Sequence, residues 1–230
     1  MKIGSIRKTS LLDFPRKVSA VVGTQGCNMH CPWCHNPYLI AYDFGPGSNR
    51  IEENQLTDFL AQREKFLDGV VITGGEPTIQ PDLPEFCERL KGLGFAVKLD
   101  TNGTHPGMLG NLIENGLVDY VAMDVKTTLA QYGRLCRRKS DPNQIRESID
   151  LLRSASIPHE FRTTCVGPFV TLAGMDEIGG LIEGAQTYFL QRCIPPEVTR
   201  AGGRYTILDE NELAALKTRV MPHVTTCQIR

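Results

Sequence analysis

Three cysteines stand close together in the first part of the chain, with three and then two residues between them. They are Cys27, Cys31 and Cys34, and they supply three thiolates, not four, to one short loop. A cubane iron–sulfur cluster held by three thiolates has one iron without a protein ligand, so a small molecule can bind there directly. The spacing therefore predicts a reaction centre.

The alternative for this loop is a structural zinc site that uses His30 or His35 as the fourth ligand. Zinc sites usually take two cysteines from one turn and the other pair from far along the chain, so the spacing favours the cluster. Cys87 lies on the apolar face of a predicted helix and is expected in the core. The other four cysteines form no second close-spaced set and are expected to be structural or incidental: Cys136, Cys165, Cys193 and Cys227.

Size and composition favour one domain over residues 1–230. The chain has 41% hydrophobic residues, and its 25 basic and 26 acidic side chains nearly cancel, so no overall field attracts nucleic acid or an anionic membrane. No stretch has the apolar length needed to span a bilayer, and the N-terminus lacks the apolar core of a secretion signal. One cluster of cysteines with five scattered ones suits a reducing compartment, so the expected location is cytoplasmic.

The elements that position the cysteines follow an alternating pattern of strands and helices. Short β-rich apolar runs occur at 18–22, 70–73, 95–99, 120–123, 160–166 and 187–190. A helical stripe runs from Leu56 to Leu67, Asp141 is a predicted N-cap before Pro142, and Asp209 begins a predicted capping box. Such a βα repeat predicts a parallel sheet, either open and doubly wound or an incomplete barrel.

Unusual polar and glycine residues follow the ends of these predicted strands. The cysteine loop follows the first strand, and residues 74–77, 100–103 and 124–126 follow the next three. The carboxyl ends of parallel strands collect on one face, where ligands bind, so these motifs are expected to converge on one site. On the fifth strand, Arg162 and Thr164 lie two residues apart and share a face.

Each of these motifs also has a structural interpretation. Gly74-Gly75 is compatible with a plain turn, and Asn102-Gly103 is a common turn dipeptide. Asp100 and Asp124 end apolar strands and need a partner, such as Lys126, Arg162 or a cation, and a structural salt-bridge network would also explain them. Trp33 suits either the core or a flat contact with an adenine ring.

Taken together, the motifs resemble the radical S-adenosylmethionine superfamily, whose hallmark is Cys-x3-Cys-x-aromatic-Cys. Residues 27–34 match this hallmark within a cluster loop at 24–38. The longer pattern, with Gly-Gly-Glu-Pro at 74–77, Asp-Thr-Asn-Gly at 100–103 and Asp-Val-Lys at 124–126, is similar to activases of glycyl radical enzymes. Within these, Ser-Leu-Leu-Asp-Phe-Pro at 10–15 and Phe-Leu-Gln-Arg at 189–192 are most similar to activating proteins of anaerobic ribonucleoside-triphosphate reductase.

This resemblance implies a partial (β/α)6 barrel, one [4Fe-4S] cluster on the three cysteines, and S-adenosylmethionine bound to the fourth iron. The reduced cluster would cleave S-adenosylmethionine to a 5′-deoxyadenosyl radical, which would abstract hydrogen from a glycine of a partner enzyme. Trp33 and His35 would lie by the adenine. The other residues implied for cofactor binding are Gly74, Gly75, Glu76, Asp100, Thr101, Asn102, Asp124, Lys126, Arg162, Thr164 and Gln191.

Related pyruvate formate-lyase activases suggest two further features. Asp100, Thr101 and Asp124 match ligands of a monovalent cation in that relative. A late-strand histidine near its adenosyl group is replaced here by Gln191, which disfavours a pyruvate formate-lyase partner.

The family implies flavodoxin or ferredoxin as electron donor. The alternatives are the activation of pyruvate formate-lyase or another glycyl radical enzyme, a radical enzyme for a small molecule, and a non-enzymatic zinc or iron–sulfur scaffold.

Overall fold

The computed structural model describes residues 1–45, 50–136, 141–194 and 205–230, and the chain divides into two compact units. The first unit comprises Met1–Asn28, Tyr38–Thr101 and Gly107–Val121, and the second comprises Met29–Pro37, Asn102–Pro106 and Ala122–Arg230. The α/β class expected from the sequence is confirmed in both. No helix of the described ranges is long and apolar enough to cross a membrane.

The first unit contains four strands in sequence order. Strand β1 (Ile3–Ser10) pairs antiparallel with β2 (Ser19–Thr24), which pairs in parallel with β3 (Gly69–Gly74), and β3 pairs in parallel with β4 (Ala96–Thr101). The cores of β2 and β3 are apolar and buried, as is typical of strands in a parallel sheet. Three helices accompany these strands: α1 (Glu53–Ala61), α2 (Leu83–Gly92) and most of α3 (Pro106–Glu114).

Strand β5 (Tyr120–Asp124) ends in the second unit, where the remaining strands follow it along the chain. Strand β6 (His159–Gly167) pairs in parallel with β7 (Thr187–Arg192) and antiparallel with β8 (Thr206–Ile207), and β7 pairs in parallel with β9 (Thr226–Ile229). The helices of this unit are α4 (Pro142–Ser154), α5 (Leu172–Leu181) and α6 (Glu210–Val220).

The helix ends follow the sequence signals with one exception. The Asp141 carboxylate accepts a hydrogen bond from the Asn143 amide at 2.9 Å, and Asp209 forms a reciprocal capping box with Glu212. The predicted continuation of the first helical stripe to Leu67 is wrong, because α1 ends at Ala61 and a turn follows. Leu67 is nevertheless buried, so its apolar character reflects packing after the helix has ended.

Candidate active site

Backbone hydrogen bonds hold Cys27 at the end of β2, in the first unit. The Cys27 amide donates to the carbonyl of Ile40 at 3.1 Å, and the Gly26 amide donates to that of Leu39 at 2.8 Å. The Gly26 carbonyl in turn accepts from the Glu76 amide at 2.8 Å. Backbone hydrogen bonds to two later segments of the chain therefore fix the position of the first cysteine.

Two buried glutamines, which the sequence reasoning missed, reinforce this arrangement. The Gln25 amide group donates to the carbonyls of Tyr38 and Ala41 at 3.1 and 2.7 Å. The Gln80 amide group donates to the Gln25 carbonyl at 2.7 Å. A side-chain amide can be buried at little energetic cost when it is hydrogen-bonded. The sequence alone does not distinguish such a buried glutamine from an exposed one.

The glycines after β3 are required by a close approach of two backbone segments. A Cβ atom on Gly75 would lie 1.9 Å from the Gly26 carbonyl oxygen, and one on Gly74 would lie 2.3 Å from the Thr24 nitrogen. Gly74 also has φ of +107°, which disfavours other residues. Packing against the segment before Cys27 therefore accounts for glycine at both positions.

The Glu76 carboxylate is buried and is oriented by two threonine side chains. Its Oε1 atom accepts from the hydroxyls of Thr78 and Thr101 at 2.5 and 2.7 Å, and from the Thr78 amide at 3.2 Å. Glu76 is 1% exposed and caps the short 3-10 helix Pro77–Ile79. These contacts fix the carboxyl group directly after the glycine turn.

Asp100 has a partner that the sequence analysis did not consider. Lys98 lies two residues earlier on β4, and its Nζ atom is 2.5 Å from Asp100 Oδ1. Alternation along a strand places both side chains on one face. The Lys98 side chain is 3% exposed and the Asp100 side chain 14%, so a buried ammonium pairs with a partly buried carboxylate.

In the second unit, the segment with Cys31 and Cys34 forms a tight turn, and the residues just before it are hydrogen-bonded to the segment at 135–136. The Cys34 amide donates to the Cys31 carbonyl at 3.2 Å, and the His30 amide donates to the Leu135 carbonyl at 2.6 Å. Met29 forms an isolated antiparallel bridge with Cys136, a cysteine that the sequence spacing did not connect with the loop.

The side chains of this segment are buried to different degrees. Trp33 is 3% exposed, and its ring centroid lies 4.8 Å from that of Phe169 and 6.4 Å from that of Tyr205. His35 is exposed. Burial raises the pKa of the Cys31 thiol to about 11, although the nearby Lys126 ammonium opposes this. Iron binding at Cys31 therefore has to displace a proton.

Asp124, Lys126 and Arg162 form a mostly buried charge cluster in the second unit. Lys126 Nζ donates to Asp124 Oδ2 at 2.8 Å, and Arg162 Nε donates to Asp124 Oδ1 at 2.9 Å. Burial by itself would raise the pKa of Asp124, but the two cations hold it well below its usual range. Burial likewise would lower the pKa of Lys126, but Asp124 raises it. All three groups remain charged at neutral pH.

The remaining predicted residues of the second unit have clear positions. Thr164 on β6 lies directly opposite Gln191 on β7, so these two polar side chains are neighbours in the sheet. Asn102 Oδ1 accepts from the amide and the hydroxyl of Thr104 at 3.0 and 2.6 Å, and Gly103 has φ of +75°. This geometry is that of a side-chain-stabilised turn.

The thiols are chemically suited to a cluster. All eight cysteines are free, so no disulfide competes for the three in the loop. Among the described residues, no three His, Cys, Asp or Glu side chains are gathered to hold a single metal ion. A cubane differs from such an ion because its thiolates bind three different irons. The donor set of the loop fits a [4Fe-4S] cluster.

Comparison with known proteins agrees with this chemistry. The model of the Radical SAM superfamily matches residues 21–182. A Methanocaldococcus jannaschii protein named "Putative glycyl-radical enzyme activating enzyme MJ1227" is 34% identical over 235 residues, covering 99% of this chain and 95% of that protein. The 7-carboxy-7-deazaguanine synthase of Aquifex aeolicus is 36% identical over 86 residues, covering 37% of this chain and 36% of the synthase.

Solved structures show the same fold. A radical SAM methyltransferase from Sphaerobacter thermophilus has a TM-score of 0.72 at 14% identity, covering 94% of this chain and 67% of that one. The predicted partial (β/α)6 barrel is confirmed by this family fold. Enzymes of the superfamily use a [4Fe-4S] cluster and S-adenosylmethionine. Because the family model matches well over half of the sequence, this chain belongs to the radical SAM superfamily.

Proposed function

We propose that this chain is an activating enzyme for a glycyl radical enzyme, and that its partner is an anaerobic ribonucleoside-triphosphate reductase. The observation that carries the first part is the match to the Methanocaldococcus jannaschii protein, which extends over nearly the full length of both chains. The match to the deazaguanine synthase covers little more than a third of either protein. The choice of reductase rests on the segments at 10–15 and 189–192.

Cys27, Cys31 and Cys34 would hold three irons of the cluster, and the amino and carboxylate groups of S-adenosylmethionine would bind the fourth. When bound and reduced, the cluster and S-adenosylmethionine together supply a 5′-deoxyadenosyl radical that takes a hydrogen atom from the target glycine. The protein's task is to hold these groups in position and to exclude water from them.

Several fixed groups suit the polar groups of the methionyl moiety. The Glu76 carboxylate is already oriented by Thr78 and Thr101, so it would accept a hydrogen bond from an amino group without rearranging. Lys126 and Arg162 are held by Asp124 and would attract a carboxylate. The carbonyls at Gly74 and Gly75 would contribute further acceptors for the amino group.

The other predicted residues would contact the nucleoside end or support the loop. Trp33 would offer a ring edge or face held rigid by Phe169, and the exposed His35 would lie beside the adenine. Thr164 and Gln191, which are sheet neighbours, would act together near the adenosyl group. Asn102 would act through the turn that it closes.

The decisive experiment mixes the reconstituted protein anaerobically with S-adenosylmethionine, reduced flavodoxin or ferredoxin, and its cognate anaerobic reductase. A glycyl radical doublet in the electron paramagnetic resonance spectrum and release of 5′-deoxyadenosine are expected. The matched control is the reductase whose C-terminal radical glycine is replaced by alanine, which should give no doublet.

Two other results would change the proposal. A doublet on pyruvate formate-lyase in place of the reductase would keep the chemistry but change the partner. The relationship to the deazaguanine synthase motivates the second candidate, a radical enzyme that acts on a small molecule. No radical on any glycyl protein, together with rapid turnover of a small metabolite, would favour that candidate.

A further inference from the structure

The Lys98–Asp100 pair bears on the monovalent cation that the family resemblance implies for Asp100, Thr101 and Asp124. A carboxylate ligand needs an oxygen that faces the cation and is not already next to another positive charge. Asp100 Oδ1 instead lies 2.5 Å from the Lys98 ammonium. At this distance, the contact is a strong charge-assisted hydrogen bond.

The position of Lys98 argues against a role in packing alone. Its side chain is 3% exposed, on a strand whose neighbouring residues Val97 and Leu99 are fully buried and apolar. Burying an ammonium is costly unless it is paired, so an aliphatic residue would fill this position more cheaply. Besides Asp100, the ammonium faces the ring of Tyr120, 5.9 Å from its centroid. The ammonium therefore lies directly against the Asp100 carboxylate.

Of the other two implied ligands, Thr101 donates its hydroxyl hydrogen to Glu76 at 2.7 Å, which leaves its oxygen able to bind a cation, so the two aspartates decide the fit. Asp124, in the second unit, has a cationic partner on each oxygen: Lys126 on Oδ2 and Arg162 on Oδ1. A metal cation at either aspartate would stand within a few ångströms of a like charge, which is unfavourable in a poorly solvated site. The side chains present therefore do not fit an additional monovalent cation.

We propose that the Lys98 ammonium replaces this cation, so that S-adenosylmethionine binding by this protein requires neither sodium nor potassium. Lysine carries the same unit charge as these ions, and its tether keeps that charge in place at any salt composition. The inference rests on cofactor binding beside the strand-end residues named in the proposed function, but not on the identity of the protein partner.

The test measures the affinity of the cluster-loaded protein for S-adenosylmethionine by anaerobic calorimetry. Potassium, sodium and choline chlorides are compared at equal ionic strength, because choline is too large for a metal-cation site. The wild-type affinity should change by less than about twofold among the three salts. Lys98→Met should lose about tenfold or more in choline and recover most of this loss in potassium.

A second measurement reports the cation directly, without cofactor turnover. Thallium(I) substitutes for potassium and is detected by NMR. Its line should broaden saturably with Lys98→Met and not with the wild type. The charge-retaining Lys98→Arg should behave as the wild type. Lys91→Met is the matched control, because Lys91 also pairs with an aspartate of the first unit, Asp119 at 2.7 Å, but at the surface.

Several results would overturn the proposal. One is a wild-type protein that binds thallium saturably or loses cofactor affinity in choline. Another is a folded Lys98→Met protein whose affinity is the same in all three salts, whether weakened or not, because Lys98 would then act as a structural residue or not at all. If Lys98→Met does not fold, the wild type and Lys98→Arg still decide the question. Failure of radical transfer to the reductase would leave these cation results unchanged.

Discussion

The cluster of Asp124, Lys126 and Arg162 predicts unequal costs for removing its members. Lys126→Met leaves Asp124 paired with Arg162 at 2.9 Å, so the buried carboxylate keeps a cation. Asp124→Asn removes the carboxylate that both cations share, and Glu160 Oε1 lies farther from the Arg162 guanidinium, 4.0 Å from Nη1. Breaking a buried pair so that a charge is uncompensated costs about 3–5 kcal/mol, so we expect about 3 kcal/mol for Asp124→Asn and about half of that for Lys126→Met.

The free energy of unfolding of the cluster-free protein, from urea titrations at neutral pH, measures these costs. The pKa of Asp124 lies below its usual range in the folded state, so its contribution is present above the unfolded pKa and is lost as pH falls below about 4. The free energy of unfolding of the Asp124→Asn variant should therefore depend less on pH below about 4 than that of the wild type. Equal losses for the two variants, or a larger loss for Lys126→Met, would refute this account of the cluster.

Three further predictions concern the cofactor site. Alanine at Cys27, Cys31 or Cys34 should abolish the cluster, as measured by iron and sulfide content. About four irons should remain when alanine replaces any one of the other five cysteines, which are Cys87, Cys136, Cys165, Cys193 and Cys227. Lys126→Met should weaken S-adenosylmethionine binding in calorimetry, and an unchanged affinity with a large fall in melting temperature would identify a structural role. Gly75→Ala should lower both stability and cluster content, because the new Cβ would clash with the Gly26 carbonyl. The control is Gly92→Ala, whose Cβ would have no atom within 4 Å and which should change stability by less than about 1 kcal/mol.

The strands that support the site were predictable because their apolar runs are long enough to be distinctive. All six predicted runs correspond to observed strands, β2 to β7. Strand β1 was missed, because it carries exposed charged residues on a sheet edge and has no clear apolar alternation. Strand β9 (Thr226–Ile229) was missed because its sequence, Thr-Cys-Gln-Ile, forms no continuous apolar run.

The side-chain partners within the site were less predictable than the backbone. Asp100 and Asp124 were expected to pair with Lys126, Arg162 or a cation, and the structure pairs Asp124 with both Lys126 and Arg162. Lys98 gave no comparable signal, because a lysine in a β-rich run usually points to solvent, and only the packing of the sheet shows that this one is buried. Local sequence predicts which groups need partners, whereas three-dimensional packing determines which partners they find.

The hydrogen bonds that hold Cys27 in place have a consequence for how the protein acquires its metal. In a zinc finger, the ligands are disordered until the metal binds, so metal affinity has to offset the entropy of ordering the chain. Here the carbonyls of Leu39 and Ile40 and the side chains of Gln25 and Gln80 order the first ligand in advance. A protein stripped of iron by oxygen should therefore keep this segment folded and accept a new cluster without refolding it.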